Sequence, residues 1–261
     1  MSIPSSFGFE TTAIEASKHY RSEIEGKKIL ITGVSPNGLG AEAAIAIAQS
    51  HPKLLILAGR SADKIKQTQT EINKVAPDVE TKILILDLAS FKAARAAGEQ
   101  VLSWNIAIDV LINNAGVMAI AERTLSEDGF EMQFASNHLG PFVFTNTILP
   151  ALRRSSRPRV VVVSSIGHHA SDTIYDDPKA ELYPYDKAKS YAASKTANIQ
   201  FAVGLTTLAG INAVSLHPGP IRTEIFRHLS REDELAFGFI KEDGSDGDHY
   251  RFKNIAQGGS T

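Results

Sequence analysis

The sequence predicts a doubly wound α/β fold, a three-layer arrangement in which a mainly parallel sheet is covered by helices on both faces. Two observations carry this. Short apolar, β-branched runs recur along the chain and are near-continuous rather than alternating, as strands read when both faces are buried. Longer helix-like stretches separate them, and parallel neighbours require such crossovers. The chain has 261 residues, 43% of them hydrophobic, enough to bury this core as one domain.

In order, residues 1–26 read as a leader with one helix, clearest in "TTAIEASKHY", and 27–261 as the domain. The strand candidates are "KKILITG" (27–33), "LLILAGR" (54–60), "TKILILD" (81–87), "DVLINNAG" (109–116), "RVVVVSSIG" (159–167) and "NAVSLHPG" (212–219). Helical patterns lie near 38–50, 62–75, 90–104, 126–152 and 187–209. The stretch 220–250 is charged, Gly-containing and aperiodic, and reads as a mobile surface segment.

Bulk properties exclude several classes. A net charge of −2 gives no general attraction to nucleic acid or an anionic membrane. With no cysteines, disulfides, thiolate zinc sites and cysteine nucleophiles are ruled out. No apolar run approaches the ~18 residues of a membrane span, and "MSIPSSFGFE" lacks a signal-peptide plan. A cytoplasmic protein is the expectation. His168 and His169 are adjacent without a carboxylate pattern and read as loop residues, so no metal is assigned.

Between the first strand and its helix, "TGVSPNGLG" holds Gly33, Gly38 and Gly40. The Gly33–Gly38 spacing matches the P-loop, but Leu39 and Gly40 follow where that motif needs Lys and Ser/Thr. A glycine turn entering a helix N-terminus suits a pyrophosphate, because backbone N–H groups converge there and the dipole is positive. The same turn also arises for packing alone. About 20 residues on, where a dinucleotide site carries an acid for the ribose hydroxyl, this chain has Gly59-Arg60. A guanidinium cannot accept that bond but pairs with a 2′-phosphate, which points to NADP(H); the alternative is a solvated arginine opening the next helix. Asp87, after the third strand, reads as an acceptor for the adenine amine, an N-cap for the following helix, or both.

"SYAASKTANIQFAVGL" sets Tyr191 and Lys195 four apart on an apolar helix, hence on one face. A nearby ammonium favours the phenolate and lowers the phenol pKa, preparing the tyrosine for acid–base work on an alcohol or carbonyl. Tyr185 and Lys189 repeat the spacing, but they follow Pro184 outside the periodic helix and read as a coincidence. Ser164 and Ser165 end the fifth strand, "NNAG" ends the fourth, and Asn137 sits inside a helical pattern where an amide needs a reason.

"TGVSPNGLG", "NNAG", "SNHLG", "VSS", "YAASK" and "HPGPIRT", in this order over about 27–223, resemble the short-chain dehydrogenases/reductases. "AGR", "SNHLGPF" and the long Ser-to-Tyr gap look most like the branch of retinol dehydrogenases and their fungal and plant relatives. The resemblance implies a Rossmann-type fold and hydride transfer with a nicotinamide. Tyr191 would exchange the substrate proton, and Lys195 would lower its pKa and hold the nicotinamide ribose. Ser165, the last of its pair, would position the substrate oxygen, and Asn137 would hold a proton-relaying water. Thr32, Gly33, Gly38, Leu39 and Gly40 would line the pyrophosphate, with Arg60, Asp87 and Leu88 toward the adenosine. Asn114, Ala115 and Gly116 would run beside the cofactor, and Pro218, Gly219, Ile221 and Thr223 would flank the nicotinamide.

The sequence departs from the family at three places. The glycine loop is one residue longer, which Pro36 and Asn37 accommodate as turn residues in a larger bulge. The Ser165–Tyr191 gap is about twice the usual length, so 168–190 reads as a substrate lid or as a surface loop, with 220–250 a second covering segment. The family's further helix and seventh strand are not seen after "NIAQGGST", so the C-terminus reads as truncated. The expected activity is NADP(H)-dependent interconversion of a lipophilic alcohol and its ketone or aldehyde, run as a reductase. The alternative is a non-catalytic NADP-binding protein. Homodimers or homotetramers are expected of the family.

Overall fold

A computed structural model describes residues 4–260; the ends of the leader and domain ranges, 1–3 and 261, lie outside the described residues. The strands are β1 (Lys28–Thr32), β2 (Leu54–Gly59), β3 (Glu80–Ile85), β4 (Val110–Asn113), β5 (Arg159–Val163) and β6 (Asn212–Leu216). All pair in parallel, in the order β3-β2-β1-β4-β5-β6. The chain winds outward from β1 to β3, then returns to place β4 on the other side of β1. The carboxyl ends of β1 and β4 therefore flank a crevice, where doubly wound sheets bind ligands.

The leader forms two short helices rather than one, α1 (Ala13–His19) and α2 (Arg21–Ile24). α3 (Leu39–Ala48) and α4 (Ala62–Val75) cover one face of the sheet, burying Ala44, Ala48, Ile65 and Ile72 against Ile29, Ile31, Leu55 and Leu57. The other face is covered by α5 (Phe91–Ser103), by α7 (Gly140–Arg153), which follows the single turn α6 (Met132–Phe134), and by α8 (Lys187–Thr207). Phe144, Ile148, Phe201 and Leu205 fill this side, against Leu30, Ile56 and Leu111.

The predicted helix 126–152 differs in detail. Residues 126–131 are not helical: Glu127 hydrogen-bonds Ser90 and Asp128 accepts from the Phe91 N–H at 2.8 Å, so both serve the start of α5. Gly129 turns this stretch at φ +81°, and Glu131 caps the next turn by accepting from the Phe134 N–H at 2.7 Å. Between α6 and α7, residues Ala135–Leu139 form a π-helical turn. Such a turn carries an extra residue and re-aims its side chains.

The 220–250 stretch is ordered around Arg222. Its guanidinium donates to Glu234 at 2.6 Å, Asp246 at 3.1 Å and the Phe239 carbonyl at 3.3 Å, and lies 4.5 Å from the Phe252 ring centroid. α9 (Arg231–Ala236) lies within it and is hooked to the start of α8 by Lys187–Asp233 at 2.5 Å. α10 (Ile255–Gly258) follows, with an Asn254–Gln257 capping box. None of the Arg222 and Lys187 contacts is local in sequence.

The inserted 168–190 segment packs on the core through Tyr175, whose ring meets Phe134 and His138. His138 is 4% exposed, its Nδ1 lies 3.3 Å from the Asn198 Oδ1, and burial pulls its pKa down to about 4. The folded state thus holds a neutral imidazole that the unfolded chain protonates near pH 6.5. Stability from this group is complete above that pH and is lost as the pH falls toward 4, by up to about 3 kcal/mol. Thermal melts should show wild type losing stability between pH 7 and 5. His138→Gln should lose less over the same interval; an identical pH response would mean other groups govern it.

Candidate active site

The site is a cleft of about 400 Å³ along the carboxyl ends of the strands. Following the strand order, it runs from Arg60 after β2, past Gly33 after β1 and Asn114 after β4, to Ser165 after β5 and Pro218 after β6. Of the predicted residues, Gly33, Gly38, Leu39, Arg60, Asp87, Leu88, Asn114, Ala115, Gly116, Ser165, Tyr191, Lys195, Pro218, Gly219, Ile221 and Thr223 line it. Thr32, Gly40 and Asn137 are buried just behind its surface.

The central crevice is laced by hydrogen bonds. Thr32 Oγ1 accepts from the N–H groups of Asn114 and Ala115, each at 3.0 Å, while Asn114 Nδ2 donates to the Thr32 carbonyl at 2.8 Å. A Cβ on Gly40 would lie 2.6 Å from the Gly33 carbonyl oxygen and 2.5 Å from Asn114 Nδ2, so only glycine permits this approach. The loop's extra residue is absorbed at Asn37, which turns at φ +59°, and the Gly38 N–H closes the turn on the Ser35 carbonyl at 3.2 Å. α4, α5 and α8 start with side-chain caps from Ser61, Ser90 and Asp186, whereas no side chain caps α3 at Gly38. The first amides of α3 face the cleft without a cap, which fits a pyrophosphate.

At the β2 end of the cleft Arg60 is exposed and makes no hydrogen bond or ion pair among the described residues. Lys64 also lines the cleft one helical turn on, a second cation that the Arg60 spacing could have revealed. Asp87 is not the cap of α5; Ser90 is, accepting from the Ala93 N–H at 3.1 Å. Asp87 instead accepts from the Ala89 N–H at 3.0 Å, since it stands too far from the helix start to reach its amides.

At the other end, the two serines divide. Ser164 is buried and donates to the Lys195 carbonyl at 2.8 Å, a structural bond to α8. Ser165 Oγ accepts from the Gly167 N–H at 3.1 Å and lines the cleft beside Tyr191. Lys195 is 2% exposed; its Nζ donates to the Val163 carbonyl at 3.1 Å and lies 5.5 Å from the Tyr191 ring centroid. The expected lowering of the tyrosine pKa is not found. Burial pushes Tyr191 up to about 12, with only the neighbouring Ser165 hydroxyl opposing, and pulls Lys195 down to about 8. Burial favours the neutral form of each, fully for Lys195 and partly for Tyr191, which lines the cleft half-buried.

Asn137 lies in the π-helical turn. Its Nδ2 donates to the Val117 carbonyl at 2.9 Å and to Ser194 Oγ at 3.0 Å, and its Oδ1 accepts from the Val117 N–H at 2.8 Å. Both donor hydrogens are spent on the Val117 carbonyl and Ser194, so the side chain clamps the Gly116–Val117 turn. Tyr185 stands apart from the cleft: its hydroxyl lies 3.1 Å from the Ile120 carbonyl and 3.2 Å from Glu131, and burial beside that carboxyl raises its pKa.

Sequence reasoning missed His217, whose buried Nδ1 has no partner among the described residues. It also missed the apolar wall of Phe226, Phe239 and Tyr250. No residue of 168–190 lines the cleft, and His168 turns its Nδ1 to the Ser165 carbonyl at 2.6 Å. Among the described residues no cluster of three or more His, Asp or Glu could hold a metal, and no helix is long and apolar enough to cross a membrane.

A profile of short chain dehydrogenases matches residues 27–234. The chain belongs to the short-chain dehydrogenase family. It is 33% identical to retinol dehydrogenase 13 of Mus musculus over 84% of this chain and 66% of that protein. It is 34% identical to the chloroplastic short-chain dehydrogenase TIC 32 A of Brassica napus, over 98% of this chain and 80% of that one. A solved structure of an uncharacterized protein from Mycobacterium Paratuberculosis superposes with a TM-score of 0.64 at 34% identity, covering 75% of this chain and 69% of the other. The chain thus spans slightly less than two thirds of the mouse retinol dehydrogenase it matches. These relations place the chain in the retinol dehydrogenase-like branch of that family.

Proposed function

We propose that this short-chain dehydrogenase binds NADP(H) and reduces a lipophilic ketone or aldehyde to its alcohol. The observation that carries the reading is the Ser165–Tyr191–Lys195 group at one end of a cleft whose other end presents Arg60 and Lys64. The fit to a dinucleotide rests on the glycine cradle between β1 and β4, the uncapped start of α3, and a free guanidinium placed for a 2′-phosphate.

When bound, the nicotinamide supplies the hydride. Leu39, at the uncapped start of α3, would hold the pyrophosphate on its backbone amide over the Gly33 and Gly38 turn, and Arg60 and Lys64 the 2′-phosphate. Ser165 would orient the substrate oxygen against Tyr191. The tyrosine, neutral at pH 7, would donate its proton as negative charge develops on that oxygen, the direction that suits a reductase. Lys195, held by Val163, would stabilise the tyrosinate left behind. Phe226, Phe239 and Tyr250 would exclude water and favour an apolar substrate.

The test is a fluorescence titration with NADPH and NADH, followed by a panel of lipophilic carbonyl compounds. NADPH should bind at least about tenfold more tightly, a difference of about 1.4 kcal/mol. Turnover should fall as the pH rises past about 8, where Lys195 loses its proton. A folded chain that binds neither nucleotide overturns the reading.

A further inference from the structure

The leader and the 251–258 segment meet on the outer side of the cofactor cleft. Phe9 lies beneath the Arg251 guanidinium, 3.9 Å from its carbon to the ring centroid, and 5.5 Å from Lys253 Nζ. Glu10 pairs with Arg251 at 2.5 Å and accepts from Gln257, itself 9% exposed. α10 is thereby pressed onto the cleft wall. A Cβ on Gly258 would collide with Ile221 Cδ1 and lie 2.8 Å from Leu39 Cδ2, so the segment touches both sides of the proposed pyrophosphate–nicotinamide region. Lys253 continues the contact, pairing with Ile221 and donating its N–H to the Pro220 carbonyl at 2.9 Å.

We infer that residues 9–10 and 251–258 form a clasp that sets the cofactor cleft from outside, with Phe9 and Glu10 as positioning residues for NADP(H) binding. The inference rests on the NADP(H) reading above. The exposed Arg251–Glu10 pair alone is worth little. Its effect comes with the stacked Phe9 ring and the buried Gln257 amide, which together hold Leu39 and Ile221 at their spacing. Without them the segment samples other positions, and nucleotide affinity falls by the fraction of time the wall is in place.

Phe9→Ala/Glu10→Ala in the full chain should raise the NADPH Kd by about tenfold, matching a wall in place about a tenth of the time. It should leave kcat at saturating NADPH within about twofold, because no group that touches the reacting atoms is altered. Amide hydrogen exchange at 218–223 and 251–258 should quicken. The milder Glu10→Gln, at an exposed position, should give an intermediate Kd and covers the case where the double variant folds poorly. A merely structural role would lower Tm while leaving the Kd of the folded fraction unchanged. With wild type binding NADPH, a variant Kd within about twofold of wild type overturns the clasp, whatever the exchange at 218–223. If wild type itself bound no NADPH, the functional reading would fall, and exchange at 218–223 would still decide the clasp: faster supports it, unchanged overturns it.

Discussion

Tyr191→Phe is expected to lower kcat by about 10³-fold, roughly 4 kcal/mol of barrier, within the range that a positioned proton donor supplies. NADPH affinity should stay within about twofold, because the change removes one oxygen and keeps the ring. That ring packs close to Gly167, where an added Cβ would lie 3.4 Å from Tyr191 Cε1, and its centroid is 5.5 Å from Lys195 Nζ. Neither contact needs the hydroxyl. Stability should hold or rise, since burial already disfavours the phenol and its hydroxyl makes no hydrogen bond among the described residues that the change would break. Tyr185→Phe is the control. It removes the hydroxyl beside Ile120 and Glu131, so it should cost about 1 kcal/mol of stability and leave the chemistry intact. Steady-state rates and thermal melts on both variants decide the matter; turnover lost in Tyr185→Phe and kept in Tyr191→Phe would place the chemistry on the wrong tyrosine.

The central strands β1 and β2 were legible because burial on both faces writes them as unbroken apolar runs, while the half-exposed edge strands β3 and β6 were legible from short apolar, β-branched runs and the turn residues that follow them. Most residues along the cleft were legible for a related reason, because they stand where those strands stop; Tyr191 and Lys195 were legible instead from their four-residue spacing on α8. What the sequence concealed depends on distance. The 126–131 stretch reads as helix by composition, yet Glu127 and Asp128 bond to the start of α5, some 37 residues back. The π-helical turn at Ala135–Leu139 has no local signature, so Asn137 could be singled out but its Val117 partners could not. The 220–250 stretch lacks periodicity because one guanidinium, Arg222, organises it by reaching Glu234 and Asp246. The tyrosine pKa was misjudged because spacing reports the neighbouring ammonium and not the dryness around both groups.

Arg60→Glu should raise the NADPH Kd by about 100-fold, or about 2.7 kcal/mol, the loss of charge-assisted hydrogen bonds plus repulsion between two anions. NADH should be unaffected or bind more tightly, because a carboxylate at this position can accept from the ribose 2′-hydroxyl. The exposed side chain has no partner among the described residues, so the fold loses nothing and Tm should shift little. Exposure also makes the interaction salt-sensitive: wild-type NADPH affinity should fall with ionic strength, and the variant's should fall less. Lys64 lines the same end of the cleft and should retain part of the preference, so Arg60→Glu/Lys64→Ala should reduce it further than either change alone. Parallel titrations with both nucleotides at two salt concentrations measure all of this. Equal losses for NADPH and NADH would mean that Arg60 shapes the cleft without reading the 2′-phosphate, and the cofactor preference would then have to come from elsewhere on the β2–α4 edge.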